Sequence, residues 1–106
     1  MTVSGLAAGT YDIYVYTDGD NAGFSRTASY ELITSAGLAG RTSATDPANT
    51  NFSGTFIQAA NSNGNYVVFR GVPVIAAASV TVAAQPQTAS DLRAPINGIQ
   101  IVPSAP

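Results

Sequence analysis

The sequence predicts an all-β fold, an antiparallel β-sandwich with about seven strands. Three observations predict it. Short segments alternate apolar and polar residues. Clusters of Gly, Asn and Asp separate them at near-regular spacing. Large apolar residues never keep a helical period over a window of about 11 residues. The chain has 106 residues, which suits one domain spanning residues 1–106 with a single core.

Each expected strand follows from its local pattern. Thr2–Val3–Ser4 begins a short first strand. Tyr11–Thr17 alternates cleanly, with Tyr11, Ile13 and Val15 on one face and Asp12, Tyr14 and Tyr16 on the other. Asp18-Gly-Asp-Asn-Ala-Gly23 is a turn cluster. Ser25–Ile33 carries Ala28, Tyr30 and Leu32 on one side. Thr55–Ala59 and Tyr66–Arg70 flank Asn61-Ser-Asn-Gly-Asn65 and read as a hairpin. The apolar run Val72–Ala84 contains Pro73 and β-branched alternation, which suits strands and not a membrane span. Within it, Ser79–Ala83 alternates around Val80 and Val82, and Gly98–Val102 closes the chain with Ile99 and Ile101 on one face. The expected core is Leu6, Tyr11, Ile13, Val15, Tyr30, Leu32, Phe56, Val68, Val80, Val82, Ile99 and Ile101. Two stretches break the rhythm. Residues 35–53 hold few large apolar side chains, so they are functional, mobile, or hide a short strand. Residues 85–96 are irregular around Pro86 and Pro95. The Ala- and Thr-rich texture shows no repeat of a solenoid kind.

Composition narrows the function. His, Cys, Lys and Trp are all absent. Catalysis at neutral pH draws mostly on an imidazole, a thiolate or an amine, so no enzyme is expected. No Gly-x-Ser-x-Gly elbow occurs. Asp18 and Asp20 lie on one short turn, a poor placement for a glycosidase pair that must flank its bond. The net charge is −2, and the four Arg are scattered singly, so no nucleic-acid partner is expected. No membrane partner is expected either. Only 9% of residues are charged, against roughly 25% in an average domain, a habit of extracellular β-rich proteins. Met1 stands directly before the first strand, which reads as a domain excised from a larger protein. Strands missing upstream of Thr2 would leave an open sheet edge, hence an expectation of strand-mediated self-association. Asn51-Phe-Ser53 fits the N-glycosylation pattern.

Leu6-Ala-Ala-Gly-Thr-Tyr11, just before an alternating strand, has the form of a tyrosine corner, in which the ring packs and its hydroxyl bonds to backbone a few residues upstream. Gly9 is expected to supply the turn geometry. The phrase resembles the start of a strand in fibronectin type III and related bacterial surface domains, where it falls near the domain's end. Here most of the chain follows it.

A second resemblance covers more of the chain. Val3-Ser-Gly-Leu6, Tyr11-Asp-Ile-Tyr-Val-Tyr16, Asn65-Tyr-Val-Val-Phe69 and Ile96-Asn-Gly-Ile-Gln-Ile-Val102 resemble domains of large secreted bacterial proteins. These are similar in turn to galactose-binding-like jelly rolls, an architecture common among carbohydrate-binding modules. The resemblance implies a sandwich of jelly-roll type, a secreted or cell-surface location and a polysaccharide or oligosaccharide partner.

The residues offer a candidate site for such a partner. Sugars lay their C–H faces on aromatic rings while polar groups take the hydroxyls. Tyr14 and Tyr16 would form the platform, with Asp12, Asp18, Asp20, Asn21 and Arg26 around it. Alternatively, the tyrosines cover a second sheet face or pair across strands. Asp18 to Gly23 partly matches a calcium loop, with Ala22 at its fifth position and Ser29 at its twelfth, where a bidentate Glu belongs. A helix–loop–helix site is thereby excluded; structural calcium and a solvated turn remain the two readings. No other cofactor or metal is expected. The expected function is non-catalytic glycan binding, and the alternative is a structural or adhesive spacer without a small ligand.

Overall fold

A computed structural model describes residues 1–18, 25–48, 54–75, 78–87 and 94–104. Its described residues form eight strands: β1 (Thr2–Leu6), β2 (Gly9–Tyr16), β3 (Arg26–Thr34), β4 (Gly37–Asp46), β5 (Ser62–Asn63), β6 (Tyr66–Val74), β7 (Ala78–Pro86) and β8 (Gly98–Pro103). They make a five-stranded sheet in the order β1-β7-β3-β4-β5 and a three-stranded sheet in the order β6-β2-β8. The pairing is nested: β1 with β7, β2 with β6, β3 with β4. That is the doubled-back wrapping of a jelly-roll-type sandwich, closed by β8 returning to the far side of β2. Every strand pair is antiparallel except β4 with the two-residue β5, which is parallel and adds the eighth strand. Among the described residues, no strand pairs with the outer edge of β8.

The alternation that marks β2 in the sequence is the alternation that builds the core. Ile13 and Val15 are fully buried, and they meet Tyr30, Leu32, Val80 and Val82 from the opposite sheet. Leu6, Tyr11, Ile99 and Ile101 pack against this cluster from its margins. Two expected core residues lie elsewhere. Phe56 is 61% exposed, and Val68 is half-buried while its neighbours Val67 and Phe69 are buried. The run Tyr66-Val-Val-Phe69 is apolar at every position, so it carries no period to fix which residues face inward. Val72, Val74, Ala28, Ala44 and Ala59 complete the core.

Of the three readings of the irregular stretch, the hidden strand is the one that holds, and the expected hairpin is corrected. Residues 37–46, within the irregular stretch, form the ten-residue β4. Its inward face is small because the opposite sheet fills the space. A Cβ on Gly40 would lie 2.9 Å from the ring of Phe69. Polar cross-strand pairs hold its register: Arg41 Nη2 donates to Glu31 Oε2 at 3.0 Å, and the Thr27 and Thr45 hydroxyls pair at 2.8 Å. The β3–β4 register sets Glu31 directly across from Arg41. The expected hairpin of 55–59 with 66–70 does not form. Gln58 makes only a parallel bridge to Tyr66, and Asn61 and Asn65 act as clasps. Asn61, at φ 57°, accepts from the Ser43 backbone N–H through Oδ1 at 3.0 Å.

The tyrosine corner is present. The Tyr11 hydroxyl donates to the Ala7 carbonyl at 2.7 Å. The special backbone before it belongs to Gly5, at φ 77°, and not to Gly9, where a Cβ would make ordinary contact with the Tyr11 ring at 3.7 Å. Tyr11→Phe is expected to lower stability by about 1 kcal/mol, the net worth of one hydrogen bond. A urea denaturation midpoint equal to wild type would remove the corner as a stabilising feature.

Candidate functional site

The outer face of the three-stranded sheet is aromatic. Tyr14 and Tyr16 project from β2 on the side away from Ile13 and Val15, and Tyr66 stands directly across from Tyr16 on β6. The ring centroids of Tyr66 lie 6.0 Å from Tyr16 and 6.3 Å from Tyr14. Phe56 comes edge-on to Tyr16, at 5.4 Å and 67°, and reaches Tyr66 at 6.4 Å. Three half-buried rings and one largely exposed ring thus share one surface.

Phe56 reaches this surface because Asn65 holds the segment that carries it. Asn65 Oδ1 accepts from Ile57 N at 2.8 Å, and Asn65 Nδ2 donates to Thr55 O at 2.9 Å. The Asn65 backbone N–H donates to Ile57 O, and its carbonyl accepts from Thr17 N, both at 2.9 Å. One asparagine therefore ties residues 55–57 to the end of β2. It is a positioning residue; the sequence suggested only a turn there.

An open groove of about 390 Å³ runs beside these rings, lined by Tyr16, Asp18, Phe56, Asn65, Asn97 and Gly98. It has aromatic walls, two neutral amides and one carboxylate. Gln100 accepts from the Tyr16 hydroxyl at 3.1 Å and stands across from Tyr14. Arg70 covers the other end of the ring cluster. Its guanidinium carbon lies 5.8 Å from the Tyr14 ring centre, and Nη1 makes a long 3.4 Å contact to the Tyr14 hydroxyl. Tyr14 is therefore less open to a ligand than Tyr16 or Phe56.

The residues expected from sequence fall into three groups. Tyr14, Tyr16 and Asp18 lie along one face and its adjoining groove. Asp20 and Asn21 lie outside the described residues, and with them most of the turn considered for calcium. Among the described residues, no group of three or more His, Cys, Asp or Glu side chains could hold a metal ion. Arg26 is elsewhere: it starts β3 with an inward-facing side chain only 8% exposed, across from Asp46. It lines a small interior space with Thr17, Ala28 and Ala44, so it does not join the tyrosine surface. The alternation of β3 puts positions 26, 28, 30 and 32 on its buried face, and Arg26 follows that period.

Asp12 shares the face of Tyr14 but serves the fold. The β2–β6 register shifts between Tyr11 and Ile13, where Gly71 at φ 64° forms a bulge. Asp12 Oδ1 accepts from Gly71 N at 2.9 Å and from Ser104 Oγ at 2.7 Å, and Oδ2 faces Arg70 Nη1 at 3.6 Å. The Gly71 amide first, then the Ser104 hydroxyl and the Arg70 charge, hold its carboxyl below the usual Asp range. Asp12 clasps β6 and the end of β8 onto β2.

The site residues that sequence reasoning missed are Phe56, Tyr66, Asn65, Asn97 and Gly98. Tyr66 had one available signal, its position on the strand that pairs with β2. Phe56 had none, because a tertiary clasp brings it into place. Comparison with protein families, curated proteins and solved structures finds no match to this chain.

Proposed function

We propose that this chain is a non-catalytic glycan-binding module of a secreted or cell-surface bacterial protein, similar in kind to galactose-binding-like carbohydrate-binding modules. The observation that carries the reading is the contiguous surface of Tyr16, Tyr66 and Phe56 beside an open groove rimmed by Asp18, Asn65 and Asn97. A pyranose ring can lay its C–H face on Tyr16 or Phe56 while its hydroxyls bond to the amides and the carboxylate. An exposed Phe beside convergent polar groups is what a sugar platform needs. A spacer would bury its aromatic residues or leave its faces bare. The sequence has no His, Cys or Lys to act as base or nucleophile, which supports binding without turnover. Among the described residues no strand covers the outer edge of β8, which supports strand-mediated association of such modules.

One or two rings and a few solvated polar contacts should give dissociation constants near 0.1–1 mM, roughly 4–5.5 kcal/mol. A glycan array on the purified domain, followed by calorimetric titration, tests the proposal. Tyr16→Ala and Phe56→Ala are expected to abolish binding without changing the unfolding midpoint by more than about 1 kcal/mol equivalent. Tyr14→Ala is expected to weaken it less, because Arg70 already occupies that ring. Flat titrations of the wild-type domain against a broad glycan set, with and without calcium, would overturn the reading in favour of a spacer.

A further inference from the structure

The groove beside Tyr16 carries a further inference, which rests on the glycan-binding reading. We propose that it prefers amino sugars whose nitrogen is unsubstituted and positively charged over neutral, N-acetylated or acidic sugars.

Among the described residues that line the groove, the charged one is Asp18; the others are Tyr16, Phe56, two asparagines and Gly98. A carboxylate beside aromatic rings is the combination that recognises an ammonium group. The ring faces attract a cation through their quadrupole, and the carboxylate attracts it by charge. Tyr16 and Phe56 meet at 67° with centroids 5.4 Å apart, so they present differently oriented surfaces to one bound group. N-acetylation replaces the ammonium with a neutral amide and removes both attractions. A uronic acid would bring a second carboxylate toward Asp18, and like charges disfavour it. Arg70 does not reverse this balance. It lies at the Asp12 end of β2, over Tyr14 and facing Asp12, whereas Asp18 lies beyond the Tyr16 end.

The test compares four tetrasaccharides by calorimetry on the whole chain: β-1,4-linked glucosamine, its N-acetylated form, β-1,4-linked glucose, and galacturonate. The titrations are run below the pKa of the sugar amines, so that these carry their charge. Glucosamine tetramer is expected to bind about tenfold more tightly than the neutral tetramers, from one exposed cation–π contact and one exposed ion pair. Raising the salt should shrink that preference. Asp18→Asn should cut the preference for glucosamine tetramer to about threefold, the share of the cation–π contact alone, and Tyr16→Ala should remove all binding. Glu31→Gln, on the other sheet, should change nothing; an equal loss with it would mean general attraction to a net-negative protein and would overturn the proposal. So would equal or tighter binding of the N-acetylated or acidic tetramer. If neutral tetramers bind through Tyr16 without a preference for the amine, the glycan-binding reading stands and this proposal falls. If none of the four binds, this proposal falls, and the broad glycan set decides the glycan-binding reading.

Discussion

Tyr30→Ala is expected to cost about 4 kcal/mol of folding stability, within the range for deleting a buried aromatic ring. Domains of this size hold roughly 5–15 kcal/mol in total, so the variant should be close to unfolding at room temperature. Tyr30 is 1% exposed and sits between the sheets with Ile13, Val15 and Leu32. Its hydroxyl donates to the Pro95 carbonyl at 2.8 Å, which ties the segment before β8 to β3. Truncation leaves a cavity and strands that carbonyl. Tyr30→Phe separates the two effects, keeping the ring and losing only the hydrogen bond, for about 1–2 kcal/mol.

The same hydroxyl sets an alkaline limit on the fold. Burial, and after it the nearby Asp46 charge, push its pKa up from 10.0 to about 12, with the Thr17 hydroxyl partly opposing. A folded-state pKa above the unfolded value means that ionisation favours the unfolded chain. The Tyr30 contribution is therefore fully present below pH 10 and is lost as the pH rises from 10 to about 12. That loss is on the order of 2–3 kcal/mol. Urea midpoints measured across this window should fall for wild type and fall less for Tyr30→Phe. Parallel profiles for the two proteins would show that Tyr30 is not the group responsible.

Much of the fold was legible because four strands each have one buried face. Ile13 with Val15, Tyr30 with Leu32, Val80 with Val82, and Ile99 with Ile101 announce an inside and an outside at a spacing of two. β4 was not legible, because its interior is supplied by another strand. Gly40 and Ala44 read as loop residues until Phe69 is seen to fill the space above Gly40. Hydrophobic pattern reports a residue's own volume and not the volume that faces it. β6 failed differently: an apolar run declares burial without declaring phase, and the wrong phase hid Tyr66. Of the site, Tyr14, Tyr16 and Asp18 were legible because neighbours along one strand share a face. Phe56 and Asn65 were not, because a side-chain clasp sets their places. Arg26 looked like a surface cation, as most arginines are, yet the period of β3 carries it inward.

That clasp makes Gly64→Ala the substitution that most directly joins the fold to the site. A Cβ at Gly64 would stand 2.6 Å from Ile57 O, 2.7 Å from Ala59 N and 2.9 Å from Ala59 Cβ. Two of these atoms are backbone, and neither is free to swing away. Ile57 O accepts from Asn65 N at 2.9 Å, and Ala59 N donates to Tyr66 O at 2.7 Å. To relieve the clash, residues 57–59 must lift from β6, which breaks those hydrogen bonds and draws Phe56 off Tyr16 and Tyr66. Overpacking against fixed backbone, together with the lost hydrogen bonds, is expected to cost about 2–4 kcal/mol. The groove should lose its Phe56 wall as well. The proposed glycan binding should then disappear even in the fraction of molecules that remain folded, and the near-ultraviolet circular dichroism of the ring cluster should weaken. Gly9→Ala serves as the control, since its new methyl would make only ordinary contact at 3.7 Å with the Tyr11 ring; it should stay within about 0.5 kcal/mol of wild type. A Gly64→Ala protein with wild-type stability would mean that residues 57–59 do not pack on this glycine. A destabilised one that kept full affinity would mean that Phe56 is not part of the binding surface.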